Sequence, residues 1–158
     1  MLFRSKSTTQ MQVNYAGQLS APMTVPVIAA APGLFTNDAS GKGQAVVLNQ
    51  DFSRNTAANP AARGSIVVFY GTGEGQTVPP GVDGLINNTV FPKPVLPLKV
   101  TMGGIDARVA YFGAAPGLVS GLFQANVTVP AGISPGSVPV VFTVGTASSP
   151  AGVTVAVK

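Results

Sequence analysis

Glu74 and Asp83 are the two carboxylates that share one irregular stretch of this chain, and a pair of carboxylates is the minimum for acid/base cleavage of a glycosidic bond. The same region opens with YGTGEGQ, residues 70 to 76, whose Gly71, Gly73 and Gly75 could turn backbone N–H groups toward a phosphate. Neither pattern carries its usual companions. The glycine run lacks the Lys-Ser/Thr ending of a phosphate loop, and no helical apolar period follows it to supply a helix N-terminus. A loop closing a buried strand is the better reading, and the two acids are read as solubilising. The other acids, Asp38, Asp51 and Asp106, each stand alone, whereas a calcium loop gathers oxygen ligands at short spacing. Histidine and cysteine are both absent. That removes Ser/His and Cys/His catalysis, cysteine-based zinc sites and any disulfide framework. We therefore expect a chain that is not an enzyme, with no catalytic residue, no metal and no cofactor.

Binding needs less machinery. Phe91 lies in a Pro/Gly-rich loop and Phe112 alternates away from Tyr111, so both rings could sit at the surface, where they would suit carbohydrate stacking or a domain interface. Gln124 and Asn126, on the outward stripe of a strand, complete the candidate ligand or interface set. The plainer alternatives are rings that cover the ends of a sandwich and a wet sheet face, and the lack of Trp weakens the sugar-binding reading. Asn87-Asn88-Thr89 and Asn126-Val127-Thr128 match a glycosylation acceptor pattern and are read as coincidence. The net charge of +4 comes from nine basic residues scattered from Arg4 to Lys158, with no cluster and no interleaved aromatic platform, so no nucleic-acid partner is expected. Pro and Gly interrupt every apolar run before it reaches the length of a membrane span.

The elements that must carry these residues are strands. Of 158 residues, 46% are hydrophobic, 9% are charged, 19 are Gly and 14 are Pro, a mixture that punctuates regular structure too often for helices. In SIVVFYGTG, Ile66, Val68 and Tyr70 share one face and Val67 and Phe69 the other, which predicts a central strand covered on both sides. LKVTMGGIDARVAYFG is the clearest hairpin: Gly103 and Gly104 supply the positive φ angles of a two-residue turn. Its second arm is expected to put Ala107, Val109 and Tyr111 in the core, with Asp106 and Arg108 in water. Alternation likewise places Phe123, Ala125, Val127 and Val129 inward, then Val138, Val140, Phe142 and Val144, then Val153, Val155 and Val157. Residues 74 to 97 form a long crossing loop or irregular edge. A GTG start followed by CTC TTC CGA TCT, the end of a widely used sequencing adaptor, would encode MLFRS, residues 1 to 5, and the segment is set aside as a cloning or assembly scar.

One internal echo bears on organisation. GQLSAP, residues 17 to 22, returns as GTASSP, residues 145 to 150, and a step of 128 residues matches Gly17 with Gly145, Ser20 with Ser148 and Pro22 with Pro150. Val25 then falls on Val153 and Val27 on Val155. Tandem copies of one sandwich domain look like this. Residues 6 to 27 are accordingly expected to be the last hairpin of a truncated upstream module, and residues 28 to 158 a complete domain.

APGLFT, GQAVVLNQD, NTAANPA, GSIVVFYGTGEG, VTMGG, YFGAAPG, GLFQANVTVPAG and VGTASSPAGVTVAVK, in this order, resemble the uncharacterised C-terminal domain family of acidobacterial (Solibacter-type) secreted proteins. The likeness runs from about residue 11 to 158, and the family is similar to immunoglobulin-like domains of the IPT/TIG kind. It implies an all-β, immunoglobulin-like β-sandwich of about seven strands, preceded by the remnant hairpin. It further implies a noncatalytic spacer, stalk or adhesion module of a secreted or cell-surface protein. Its partners would be the upstream module of the same polypeptide and a surface polysaccharide or protein. A carbohydrate-binding module is the alternative. The family carries no activity that could be transferred to a residue here.

Overall fold

A computed structural model describes residues 6–158; the segment set aside as a scar lies outside the described residues. Every regular element in them is a strand. Two sheets face each other. One runs in the order Ile105–Ala107, Leu98–Met102, Gly136–Val144, Val153–Val157 and Gly43–Gln44, with Ala147–Ser148 pairing the far end of Gly136–Val144. The other runs Val109–Ala114, Leu122–Thr128, Ile66–Thr72, and both Gly33–Leu34 and Val47–Leu48 pair with Ile66–Thr72. Seven of these strands have three residues or more, and four two-residue strands, too short to leave a pattern in the sequence, extend the edges.

The inward faces are those that alternation dictates. Phe123, Ala125, Val127, Val129, Val140, Phe142, Val144 and Val155 are fully buried, and Val138, Val153 and Val157 nearly so. Three rings tie the sheets together: Phe142 stacks on Phe123 at 6.1 Å and meets Phe69 edge-on at 5.3 Å. Ile66–Thr72 is central as expected, but only its Val67 and Phe69 face joins this core; Ile66 and Tyr70 on the opposite face are half-covered.

Two departures from the expected pattern have clear causes. The Gly103-Gly104 turn forms with both φ angles positive, at 58° and 81°, and pairs Met102 with Ile105. Its second arm, however, changes sheets: Ile105–Ala107 pairs with Leu98–Met102, and from Val109 onward the chain pairs with Leu122–Thr128 in the other sheet. A bulge follows directly, because Val109 lies opposite Val127 while Tyr111 lies opposite Asn126. One extra residue inverts the alternation. Phe112 therefore turns inward and meets Phe123 edge-on at 5.3 Å, and Tyr111 turns outward, which corrects the expectation of a core Tyr111 and an exposed Phe112.

Residues 7 to 27 form a separate antiparallel hairpin. Thr8–Met11 pairs with Met23–Pro26, Asn14–Tyr15 with Gln18–Leu19, and Ala16 and Gly17 turn at φ 50° and 82°. A serine closes its tip. Val13 N–H donates to Ser20 Oγ at 3.0 Å and Ser20 N–H to the Val13 carbonyl at 2.9 Å. The last hairpin of the sandwich repeats this bond for bond, with Phe142 N–H donating to Ser149 Oγ at 3.1 Å and Ser149 N–H to the Phe142 carbonyl at 2.7 Å. The structural counterpart of Ser20 is thus Ser149, one residue beyond the sequence match with Ser148. On this register Met11, Val13 and Tyr15 take the places of Val140, Phe142 and Val144.

Candidate functional site

The Gly-rich end of the central strand needs its glycines for packing. It packs backbone against backbone on Ala29–Ala31. A Cβ on Gly73 would lie 1.9 Å from the Ala31 carbonyl oxygen, and one on Gly75 would lie 2.3 Å from that of Ala29. Both glycines also hold positive φ, at 84° and 79°, and Ala31 N–H donates to the Gly73 carbonyl at 2.9 Å. Only glycine fits both conditions. The consequence falls on the residue between them: Glu74 is pinned from either side and held 6% exposed, the one charged side chain among the buried residues of the described chain.

Glu74 lines a half-enclosed cavity of about 760 Å³. Asp83 lines it too, so the two carboxylates paired by sequence do meet at one cavity. Its walls are mostly apolar: Val27 enters from the end of the hairpin, Ile28 and Ala29 from the segment after it, and Pro92, Val95 and Leu96 from the far end of the long loop. Lys6 stands at the lining as well, and among the described residues the ion pair that forms lies elsewhere, between exposed Lys99 and Asp106. Asn87, also in the lining, is 2% exposed and rigidly held, its Nδ2 donating to the Leu118 carbonyl at 3.1 Å while Ser120 Oγ donates to its Oδ1 at 3.3 Å.

Burial pushes the Glu74 carboxyl above its ordinary range, and hydrogen bonds from the N–H groups of Glu74 and Gly73 oppose this only in part. A raised carboxyl pKa means that the folded state binds the proton more tightly than the unfolded chain does. Its contribution is then favourable in acid and is lost as pH rises through the folded-state value. Glu74→Gln removes that loss. The variant should melt at a higher temperature than the parent at pH 7, with the difference shrinking toward about pH 4; paired thermal melts at both pH values measure it.

The other candidates are spread apart. Phe91 is 38% exposed beside Pro92, and Phe112 is packed against the core. Gln124 and Asn126 do lie together on the outer face of the five-stranded sheet, with Gln124 Nε2 donating to Asn126 Oδ1 at 2.9 Å. The register sets Tyr70 beside Gln124 and Tyr111 beside Asn126, giving an outer face of two tyrosines and two amides. Tyr111 Oη donates to the Ala114 carbonyl at 2.7 Å, which fixes the ring. Sequence reading missed both tyrosines because Tyr70 was assigned only to a covered strand and the bulge that turns Tyr111 outward leaves no compositional trace. It also missed the Ala29–Ala31 wall, whose partner lies more than forty residues away; the alternating glycines of GTGEG were the available signal. No protein-family model, curated protein or solved structure matches the chain.

Proposed function

We propose that the chain is a noncatalytic accessory module of the immunoglobulin-like sandwich kind, serving as a spacer, stalk or adhesion element at the C-terminal end of an exported bacterial protein, and that residues 6 to 27 complete a like module upstream of it. The observation that carries this reading is the N-terminal hairpin. It reproduces the serine-closed hairpin at the end of the sandwich, yet the residues that would be core there are bare: Met11 is 48% exposed, Val13 61% and Tyr15 82%. An alternating apolar face of this length has no reason to stay in water unless a second sheet normally covers it. Low charge suits a mechanical or adhesive part.

Two measurements test it. Deleting residues 1–27 should change the melting temperature of the sandwich by less than about 2 °C, since the hairpin contributes little to its core; a large drop would make the hairpin part of this domain. In a chain extended upstream through its own reading frame, the amides of Met11, Val13 and Tyr15 should become strongly protected from hydrogen exchange, and fast exchange there would sink the tandem reading.

The outer tyrosine and amide face favours a second reading, a carbohydrate-binding module. Pull-down on polysaccharide that is lost in Tyr111→Ala and Gln124→Ala would support it, and binding to no polymer would favour the spacer.

A further inference from the structure

We propose that the cavity at Glu74 is a binding site for an aliphatic cation, an ammonium or guanidinium group carried on a short hydrocarbon stem. This goes beyond the spacer reading: the cavity takes Lys6 and Val27 from the hairpin segment and both of its carboxylates from the sandwich. The cavity volume of about 760 Å³ lies within the usual range for small-ligand sites. Its chemistry is divided in the way such a ligand requires. Glu74 and Asp83 supply negative charge, while Val27, Ile28, Pro92 and Leu96 supply apolar wall for a stem. Glu74 is held there by two glycines that no other residue could replace without moving the Ala29–Ala31 backbone.

Stability does not explain this arrangement. A buried carboxylate with apolar neighbours weakens the fold at neutral pH, and a glutamine of the same shape would fill the space without that cost. A cation entering the cavity reverses the sign. It restores to Glu74 the charge stabilisation that burial removed, and it does so in a partly dehydrated place where a charge pair is stronger than at the surface. Among the described residues the charged groups facing the cavity are Glu74, Asp83 and Lys6, so the carboxylates there outnumber the lysine. Affinity should accordingly rise with pH as Glu74 ionises.

The test is an NMR titration of the full 158-residue chain with n-butylammonium and, separately, with 1-butanol, which has a similar stem and no charge. Saturable shifts of the Gly75, Gln76 and Thr77 amides are expected with the cation, at least tenfold weaker with the alcohol, and strengthening between about pH 4 and pH 7. Glu74→Gln should weaken cation binding at least tenfold with the dispersion of the spectrum retained. Should that variant misfold, Asp83→Asn, at an exposed position, serves instead and should weaken binding severalfold. Equal binding of cation and alcohol, or undiminished binding by a folded Glu74→Gln or Asp83→Asn chain, overturns the proposal. Comparing cadaverine with N-acetyl-lysine methylamide then separates the two sources of such a group: tighter binding of the diamine points to a free polyamine, and tighter binding of the blocked lysine points to a side chain of a protein partner.

Discussion

Phe142→Ala should lower the stability of the sandwich by about 3–5 kcal/mol, read as a shift of the urea midpoint at unchanged slope. The ring has no exposure and joins both sheets, stacking on Phe123 and meeting Phe69 edge-on. Truncation removes the buried apolar surface and leaves a void that neither neighbour can fill, since each is held by its own strand. For a domain whose total stability is on the order of 5–15 kcal/mol, the variant would be marginal at 37 °C. The hairpin supplies an internal control. Val13 occupies the same place in the serine-closed bond pattern but is 61% exposed, so Val13→Ala should stay within about 0.5 kcal/mol of the parent. Equal costs at the two positions would mean that the hairpin already packs a core of its own.

The second large effect is expected at Asn55, a residue with no obvious importance in the sequence. Its side chain is fully buried and acts as a piece of β-strand. Nδ2 donates to the Ala156 carbonyl at 2.9 Å and to Asn49 Oδ1 at 2.9 Å, while Oδ1 accepts from Ala156 N–H at 3.0 Å and from Gln44 Nε2 at 3.0 Å. One amide thus pairs both backbone groups of Ala156, whose carbonyl also accepts from Ala61 N–H at 3.0 Å. Asn55→Ala removes the partner of the Ala156 N–H, while the carbonyl keeps its bond from Ala61, and should cost about 1–3 kcal/mol. Hydrogen exchange gives the specific readout: the Ala156 amide should lose protection far more than the amides of Val138 and Val140, and uniform loss across the sheet would instead indicate general loosening.

Most of the core was legible because a strand has a period of two, so the valine and phenylalanine positions from Phe123 to Val157 announce their faces without knowledge of any partner. The turn at Gly103 and Gly104 was legible for the same local reason: two successive positive φ angles demand residues that tolerate them. The errors began where the pattern depends on a neighbouring strand. Nothing within IDARVAYFG says that the chain crosses between sheets near Arg108 or that a bulge follows, and that single residue exchanged the environments of Tyr111 and Phe112. The two serine-closed hairpins show both sides of this. Their likeness was readable from GQLSAP and GTASSP, but its register was not, because matching letters favoured Ser148 while the hydrogen bonds select Ser149.

What the sequence determined by itself is therefore the all-β class, the buried faces of the long strands and the absence of histidine and cysteine chemistry, since each follows from composition or from spacing within a few residues. Tertiary structure alone decided that Asn55 closes a sheet edge and that Tyr70 and Tyr111 share an outer face with Gln124 and Asn126. It alone decided that GTGEG wedges against Ala29–Ala31, so that Glu74 lines a cavity with Asp83. The physical reason is the same in each case. A buried polar group is meaningful only through the partner that satisfies or exposes it, and that partner is brought by the fold from a distant part of the chain.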